Sequence, residues 1–267
     1  MTASLSDSLS LWRTLVSASV RSQMQHKVSF IMLSVGNFGA VSADIVALWA
    51  LYARFGNLPN WTLPQIALLY GMVQLAFAIA ECVGRGFDQF SGVIRTGEFD
   101  RFLVRPRSAA LLLAGQIFEL SRVGRLVSGL VALLWGGLYS GVAWSAVKVL
   151  LVAWATLGGA ATFLGVLVLQ ATMCFWTVES LEVVNAVTYG GITAAQMPLT
   201  IYPKWLRYLF TFGVPIACMN YLPADVLLDR SAYPLYAWLA PLVGFVFLAL
   251  SLPIFHMGVR KYTSAGG

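Results

Sequence analysis

The sequence predicts an all-α membrane protein with six transmembrane helices, and three observations carry that prediction. Of 267 residues, 59% are hydrophobic and only 10% charged, with a mean hydropathy of +0.78. A water-soluble domain needs about 25% charged residues to wet its surface. The apolar residues come in uninterrupted runs, and about 20 such residues let a helix span hydrocarbon while satisfying its own backbone hydrogen bonds. The cations behind the net charge of +6 gather beside those runs. There they set orientation and meet anionic headgroups, so the lipid bilayer is the expected partner and nucleic acid is not.

Residues 1–27 form the first unit. Between Asp7 and Lys27, Leu9, Trp12, Leu15 or Val16, Val20 and Met24 recur every three or four positions, and Arg13, Ser17, Arg21 and Gln25 take the other side. A basic amphipathic helix with Trp on its apolar face is expected to lie in the membrane interface. The first ten residues hold no cation, so no cleaved signal peptide is expected.

The six-span unit covers residues 28–261, and a tail of residues 262–267 follows. Spans are expected at about 28–52, 63–84 and 126–144, within 149–178, and at about 183–201 and 235–256. Residues 54–61 read as a turn-rich loop, residues 85–125 as a long polar one, and Glu179 with Glu182 as a short turn.

A seventh apolar run, residues 208–224, contains Pro215 and Pro223. Charge placement tests whether it spans. With six spans and the N-terminus inside, the inner side holds Arg13, Arg21, Lys27, Arg85, Arg95, Arg101, Arg105, Arg107, Arg122, Arg125, Arg260 and Lys261. The outer side keeps Arg54, Lys148, Lys204, Arg207 and Arg230. The positive-inside rule favours that arrangement, with both termini cytoplasmic. Residues 203–224 are then expected to form a re-entrant helical hairpin between spans five and six, its broken backbone covered by protein.

Little in the chain points to chemistry of its own. None of Lys27, Lys148, Lys204 and Lys261 follows a glycine, so the Gly-Lys-Ser/Thr of a phosphate-binding loop is absent. Neither His-Glu-x-x-His nor Gly-x-Ser-x-Gly occurs. Cys82, Cys174 and Cys218 lie in or beside apolar runs without metal-ligand spacing and read as packing residues. No catalytic residue, metal or cofactor is expected on this chain.

The informative stretch is Arg95-Thr96-Gly97-Glu98-Phe99-Asp100-Arg101-Phe102-Leu103-Val104-Arg105-Pro106, preceded by Arg85-Gly86-Phe87-Asp88-Gln89-Phe90. Phe87, Phe90, Phe99 and Phe102 are expected to anchor in a partner's pocket, oriented by Glu98, Asp100 and Arg101, because interfaces favour aromatic residues with arginine. Pro106 ends the element by restricting its predecessor. A loop that only sets topology would need cations alone, and here acidic residues are interleaved.

This stretch resembles the ABC-2 type permeases of bacterial exporters. Also similar are Leu68-Leu69-Tyr70-Gly71, Tyr202-Pro203, Pro215-Ile216-Ala217, Tyr221-Leu222-Pro223-Ala224 and the tail Arg260-Lys261-Tyr262. The resemblance implies a permease subunit of the bacterial inner membrane. Its partners would be a separate P-loop ATPase in two copies, which would hold ATP and Mg, and a sister permease or second copy of the chain. It also implies that Arg95, Gly97, Glu98, Phe99, Asp100, Arg101, Arg105 and Pro106 dock on the ATPase, with Glu179 and Glu182 as a second contact. ATP-driven closure would then tilt spans one, two and five and open an outward path.

Ionisable or amide groups at membrane depth face a cavity or a partner. Asp44, Gln74, Glu81 and Asn185 are therefore candidates for the pathway or a subunit interface. Glu81 is expected to pair with Arg85, and Glu119 with Arg122. Two other classes fit less well. An ion-coupled secondary carrier needs ionisable residues at the midplane of several spans, and a non-transporting scaffold would use residues 95–106 for docking alone.

Overall fold

A computed structural model describes residues 5–56, 58, 60–105, 107–119, 122–176, 181–231 and 233–262. It is all-helical: among the described residues the sole extended pairing is an isolated bridge between Leu58 and Trp61. In chain order the helices are α1 (Leu5–Gln25), α2 (Lys27–Phe55), α3 (Leu63–Asp88), α4 (Phe90–Arg95), α5 (Asp100–Leu103), α6 (Ala109–Gln116) and α7 (Val123–Tyr139). They continue with α8 (Ala146–Met173), α9 (Leu181–Ala195), α10 (Lys204–Tyr208), α11 (Ile216–Met219), α12 (Tyr221–Leu227) and α13 (Pro234–Lys261).

Among the described residues four helices, α2, α3, α8 and α13, are long and apolar enough to cross a membrane, against six predicted spans. The third expected span shortens to α7, whose 17 residues rise about 26 Å. It stops at Tyr139 because Gly141 turns the chain with φ +82, and Trp144 folds back to donate its indole N–H to the Gly137 carbonyl at 2.9 Å. The fifth is α9, which ends at Ala195, ahead of Pro198. Residues 85–125 are not one loop. Helix α3 continues to Asp88, and α4, α5 and α6 fold within the remainder.

Helix α3 forms the centre of the bundle, packed against α6, α7 and α8, while α13 lies along α8. Small residues permit the closest approaches. A Cβ on Gly244 of α13 would stand 2.1 Å from the Gly158 carbonyl oxygen of α8, so the two backbones touch there. Helix α2 rests on α7 and leaves a broad apolar face open, including Val28, Met32, Val35 and Trp49.

The expected amphipathic helix is α1, and its apolar side meets protein. Leu15 and Trp12 close over Gly115 of α6. Ser19 Oγ donates to the Phe118 carbonyl at 3.2 Å and accepts the Phe118 N–H at 3.1 Å. Residues 204–227 fold as a broken helical segment. Ile216, Ala217, Cys218 and Met219 are buried, against α8 and α13. The break at Asn220 is closed by its own side chain, which donates to the Ala195 carbonyl and accepts the Tyr221 N–H at 2.6 Å.

Replacing Gly244 with valine should separate α8 from α13 and lower stability by about 1–3 kcal/mol, seen as an earlier thermal unfolding midpoint in detergent. Gly39→Ala on α2, where a Cβ meets nothing within 4 Å, should leave that midpoint unchanged or raise it, because alanine favours helix by about 1 kcal/mol.

Candidate functional site

Helices α4 and α5 are too short to persist alone. They hold together as a hairpin whose turn uses Gly97 at φ +70, a backbone conformation that side chains resist. The turn is closed by Gly97 N–H donating to the Ile94 carbonyl at 3.1 Å and by Thr96 Oγ1 donating to the Gly92 carbonyl at 3.0 Å.

Burial of phenylalanine fixes this hairpin to the bundle. Phe90 and Phe99 are fully buried and meet edge to face at 5.0 Å. Phe99 also contacts Phe175, just past α8, at 5.5 Å and Tyr262, just past α13, at 5.0 Å. Phe255 of α13 completes the cluster, 5.8 Å from Phe90 and 5.6 Å from Phe87. Such ring pairs contribute about 0.5–1.5 kcal/mol each beyond the area they bury.

This corrects the expectation that Phe87, Phe90, Phe99 and Phe102 seat in a partner. All four are buried in their own chain, because the ends of α8 and α13 bring aromatic residues to meet them. What faces outward is Arg95, Glu98, Arg101 and Arg105, with Asp100 and Gly97 half-buried. Leu103 and Val104, which sequence reasoning passed over, supply exposed apolar surface, Val104 being 83% exposed. A cleft of about 300 Å³ separates the hairpin from α1, lined by Leu15, Ser19, Glu98, Arg101, Arg105 and Gln116. Pro106 and Glu179 lie outside the described residues, as do the side chains of Glu182 and Asn185 at the start of α9.

Behind the hairpin, three arginines and three carboxylates form a connected set among the helix ends. Arg85 Nε lies 2.6 Å from Glu119 Oε2, and its Nη1 pairs with Asp88. Arg122 Nη2 reaches Glu119 at 3.4 Å and Glu81 at 3.6 Å. Arg125 Nε faces Glu81 Oε2 at 3.2 Å, as an ion pair rather than a directed hydrogen bond. Amide and hydroxyl groups extend the set. Arg122 donates to Asn37 of α2 at 3.3 Å, and Arg125 to Gln74 of α3 at 3.3 Å. Gln170 of α8 donates to Asp88 at 3.4 Å and accepts from Thr188 of α9 at 3.0 Å.

Glu81 therefore pairs with Arg122 and Arg125 at the start of α7 and not, as expected, with Arg85 one turn on. The expected Glu119–Arg122 pair is present. Of the other candidates, Gln74 is buried and joins α3 to α7. Asp44 stands apart on the exposed side of α2, interacting with the Tyr70 hydroxyl, which itself donates to the Val41 carbonyl at 2.8 Å. Sequence reasoning missed Phe175, Phe255, Asn37, Gln170 and Thr188. The available signal was the clustering of aromatic residues near the ends of spans four and six.

The arrangement brings charged and aromatic side chains together. Among the described residues no group of three or more His, Cys, Asp or Glu could hold a metal ion. It offers an exposed charged hairpin on a rigid aromatic base, with a neutral ionic set behind it. A family model described as ABC-2 family transporter protein matches residues 38–266. No curated protein and no solved structure matches the chain.

Phe99→Ala should lower unfolding free energy by about 3–5 kcal/mol, while Glu98→Ala on the exposed side should stay within about 0.5 kcal/mol. Thermal unfolding of both variants in detergent compares the two. By the same measurement Glu81→Ala, which leaves half-buried Arg125 without a carboxylate and Arg122 with Glu119 alone, should be destabilising by about 3–5 kcal/mol.

Proposed function

This chain belongs to the ABC-2 family of transporter proteins, and we propose that it is the permease subunit of an ATP-driven exporter in a bacterial inner membrane, powered by a separate P-loop ATPase. The observation that carries the reading is the hairpin at residues 90–105. It presents Arg95, Glu98, Arg101, Leu103, Val104 and Arg105 outward while its phenylalanines tie it to three long helices. A partner groove can grip that surface by charge and a small apolar tip, and the hairpin cannot yield without moving its base. ATP and Mg belong to the partner, and the Glu179–Glu182 turn is its second contact.

In this scheme force enters through α4 and α5 and reaches α3, α8 and α13 by way of Phe90, Phe99, Phe175 and Phe255. The ionic set passes it on to α7, α2 and α9 through Glu81, Arg122, Asn37, Gln170 and Thr188. That route differs from a simple tilt of spans one, two and five, since the aromatic contacts run to the second, fourth and sixth. Six crossings with both termini cytoplasmic agree with the distribution of cations. On this reading α7 and α9 span a locally thin or packed region, and residues 204–227 enter and leave the bilayer on one side. The open face of α2, bearing Asp44, fits a sister permease or a second copy of this chain, with the outward path between the two.

Glu98→Ala combined with Asp100→Ala should reduce recovery of the ATPase in a pull-down by about tenfold or more and lower ATP-driven transport in parallel. Undiminished complex together with undiminished transport would remove this assignment. A cysteine at Val104, on the protruding tip, should react with a membrane-impermeant thiol reagent only from the cytoplasmic side.

A further inference from the structure

At the end of the bundle away from the hairpin, a cavity of about 520 Å³ opens between the α2–α3 loop, the turn at Leu199–Ile201, α12 and the approach to α13. Its walls include Asn60, Trp61, Thr200, Tyr221, Asp225 and Arg230. The volume falls within the roughly 300–1,000 Å³ of small-ligand sites.

Two opposite charges line the cavity without closing on each other. Asp225 and Arg230 interact electrostatically, yet among the described residues no ion pair within 4.0 Å joins them. Each is held by other groups. The Arg230 guanidinium lies 4.7 Å over the Trp61 ring and donates to Gln65 Oε1 at 2.9 Å. The Asp225 carboxylate interacts with the Tyr221 hydroxyl one turn before it. Arg230 N–H donates to the Asp225 backbone carbonyl at 2.8 Å, which fixes the spacing between the two residues. Trp61 is only 3% exposed, and its ring stands 6.2 Å from that of Tyr221.

A simple cation entering this cavity meets Arg230, and a simple anion meets Asp225. A molecule carrying both charges satisfies both walls. We propose that the cavity binds a zwitterionic group with a primary ammonium and a phosphate. The ammonium lies against Asp225 and the Tyr221 ring, where carboxylate and aromatic face both attract it. The phosphate lies against the guanidinium of Arg230, whose planar donors suit its oxygens. Trp and Tyr mark headgroup depth in membrane proteins, and phosphate is the anion abundant there. Which side of the membrane the cavity faces rests on the topology proposed above; its chemistry does not.

The test uses the purified full-length chain without any ATPase, so failure of the coupling scheme leaves its readout intact. Native mass spectrometry measures retention of phosphatidylethanolamine against phosphatidylglycerol, and a separate titration uses soluble O-phosphoethanolamine. Phosphatidylethanolamine should be retained about tenfold better, and Arg230→Gln, which removes the group facing the phosphate, should lower its retention about tenfold. Asp225→Asn, which removes the group facing the ammonium, should abolish the preference, scored only if its thermal midpoint matches the parent; exposed Arg230 keeps the test decisive if it does not. Binding of O-phosphoethanolamine, lost in the same variants, shows that the polar group suffices. Lipid binding without it identifies a membrane lipid as the source. Equal retention of the two lipids, or undiminished phosphatidylethanolamine retention in Arg230→Gln, overturns the proposal.

Discussion

A chain that leaves one helix, reverses within a few residues and enters another has no intrinsic reason to hold a shape. Between α3 and α6 the restraint comes from Phe90 and Phe99, whose rings are removed from solvent by Phe175, Phe255 and Tyr262. Those three partners come from the ends of α8 and α13. The hairpin is therefore as rigid as the packing of three long helices, and any load on its charged surface is a load on their ends. Exposed residues can then be tuned for a partner without disturbing the base, since Arg95, Glu98 and Arg101 take no part in the aromatic contacts.

The ionic set behind the hairpin obeys a different rule. Charges removed from water carry a desolvation penalty of several kcal/mol apiece, which only close opposite charges and hydrogen bonds offset. Glu81, Asp88 and Glu119 balance Arg85, Arg122 and Arg125, and the amides of Asn37, Gln74 and Gln170 occupy further donors and acceptors. Such a set favours one relative placement of five helices. Sliding one helix past another exchanges or opens several pairs at once, which makes a concerted shift less costly than an isolated one.

Much of the fold was legible because lipid imposes long apolar runs and because cations flank them. The long spans α2, α3, α8 and α13 followed from that alone, and so did the amphipathic pattern of α1. The shortening of α7 was less legible: it depends on Trp144 turning back to the Gly137 carbonyl, a contact that composition does not encode. In the site, the motif from Arg95 to Arg105 was visible as a mixture of charge and aromatic residues, yet its direction was read inversely. Phenylalanine in an interface and phenylalanine in a core look alike in sequence. The difference lies in whether the same chain supplies a pocket, and here Phe175 and Phe255 do so from more than 70 residues away.

Local sequence determined the class of the protein, the helical periodicity, the break at Pro215 and the turn at Gly97, since each follows from properties of adjacent residues. It also identified the ionisable groups that had to be neutralised. Tertiary structure alone decided which arginine meets which carboxylate and which rings cover Phe99. It also decided that Asp225 and Arg230 face one cavity. Those pairings join residues far apart in the chain, and their energies depend on distances that exist only once the helices have packed.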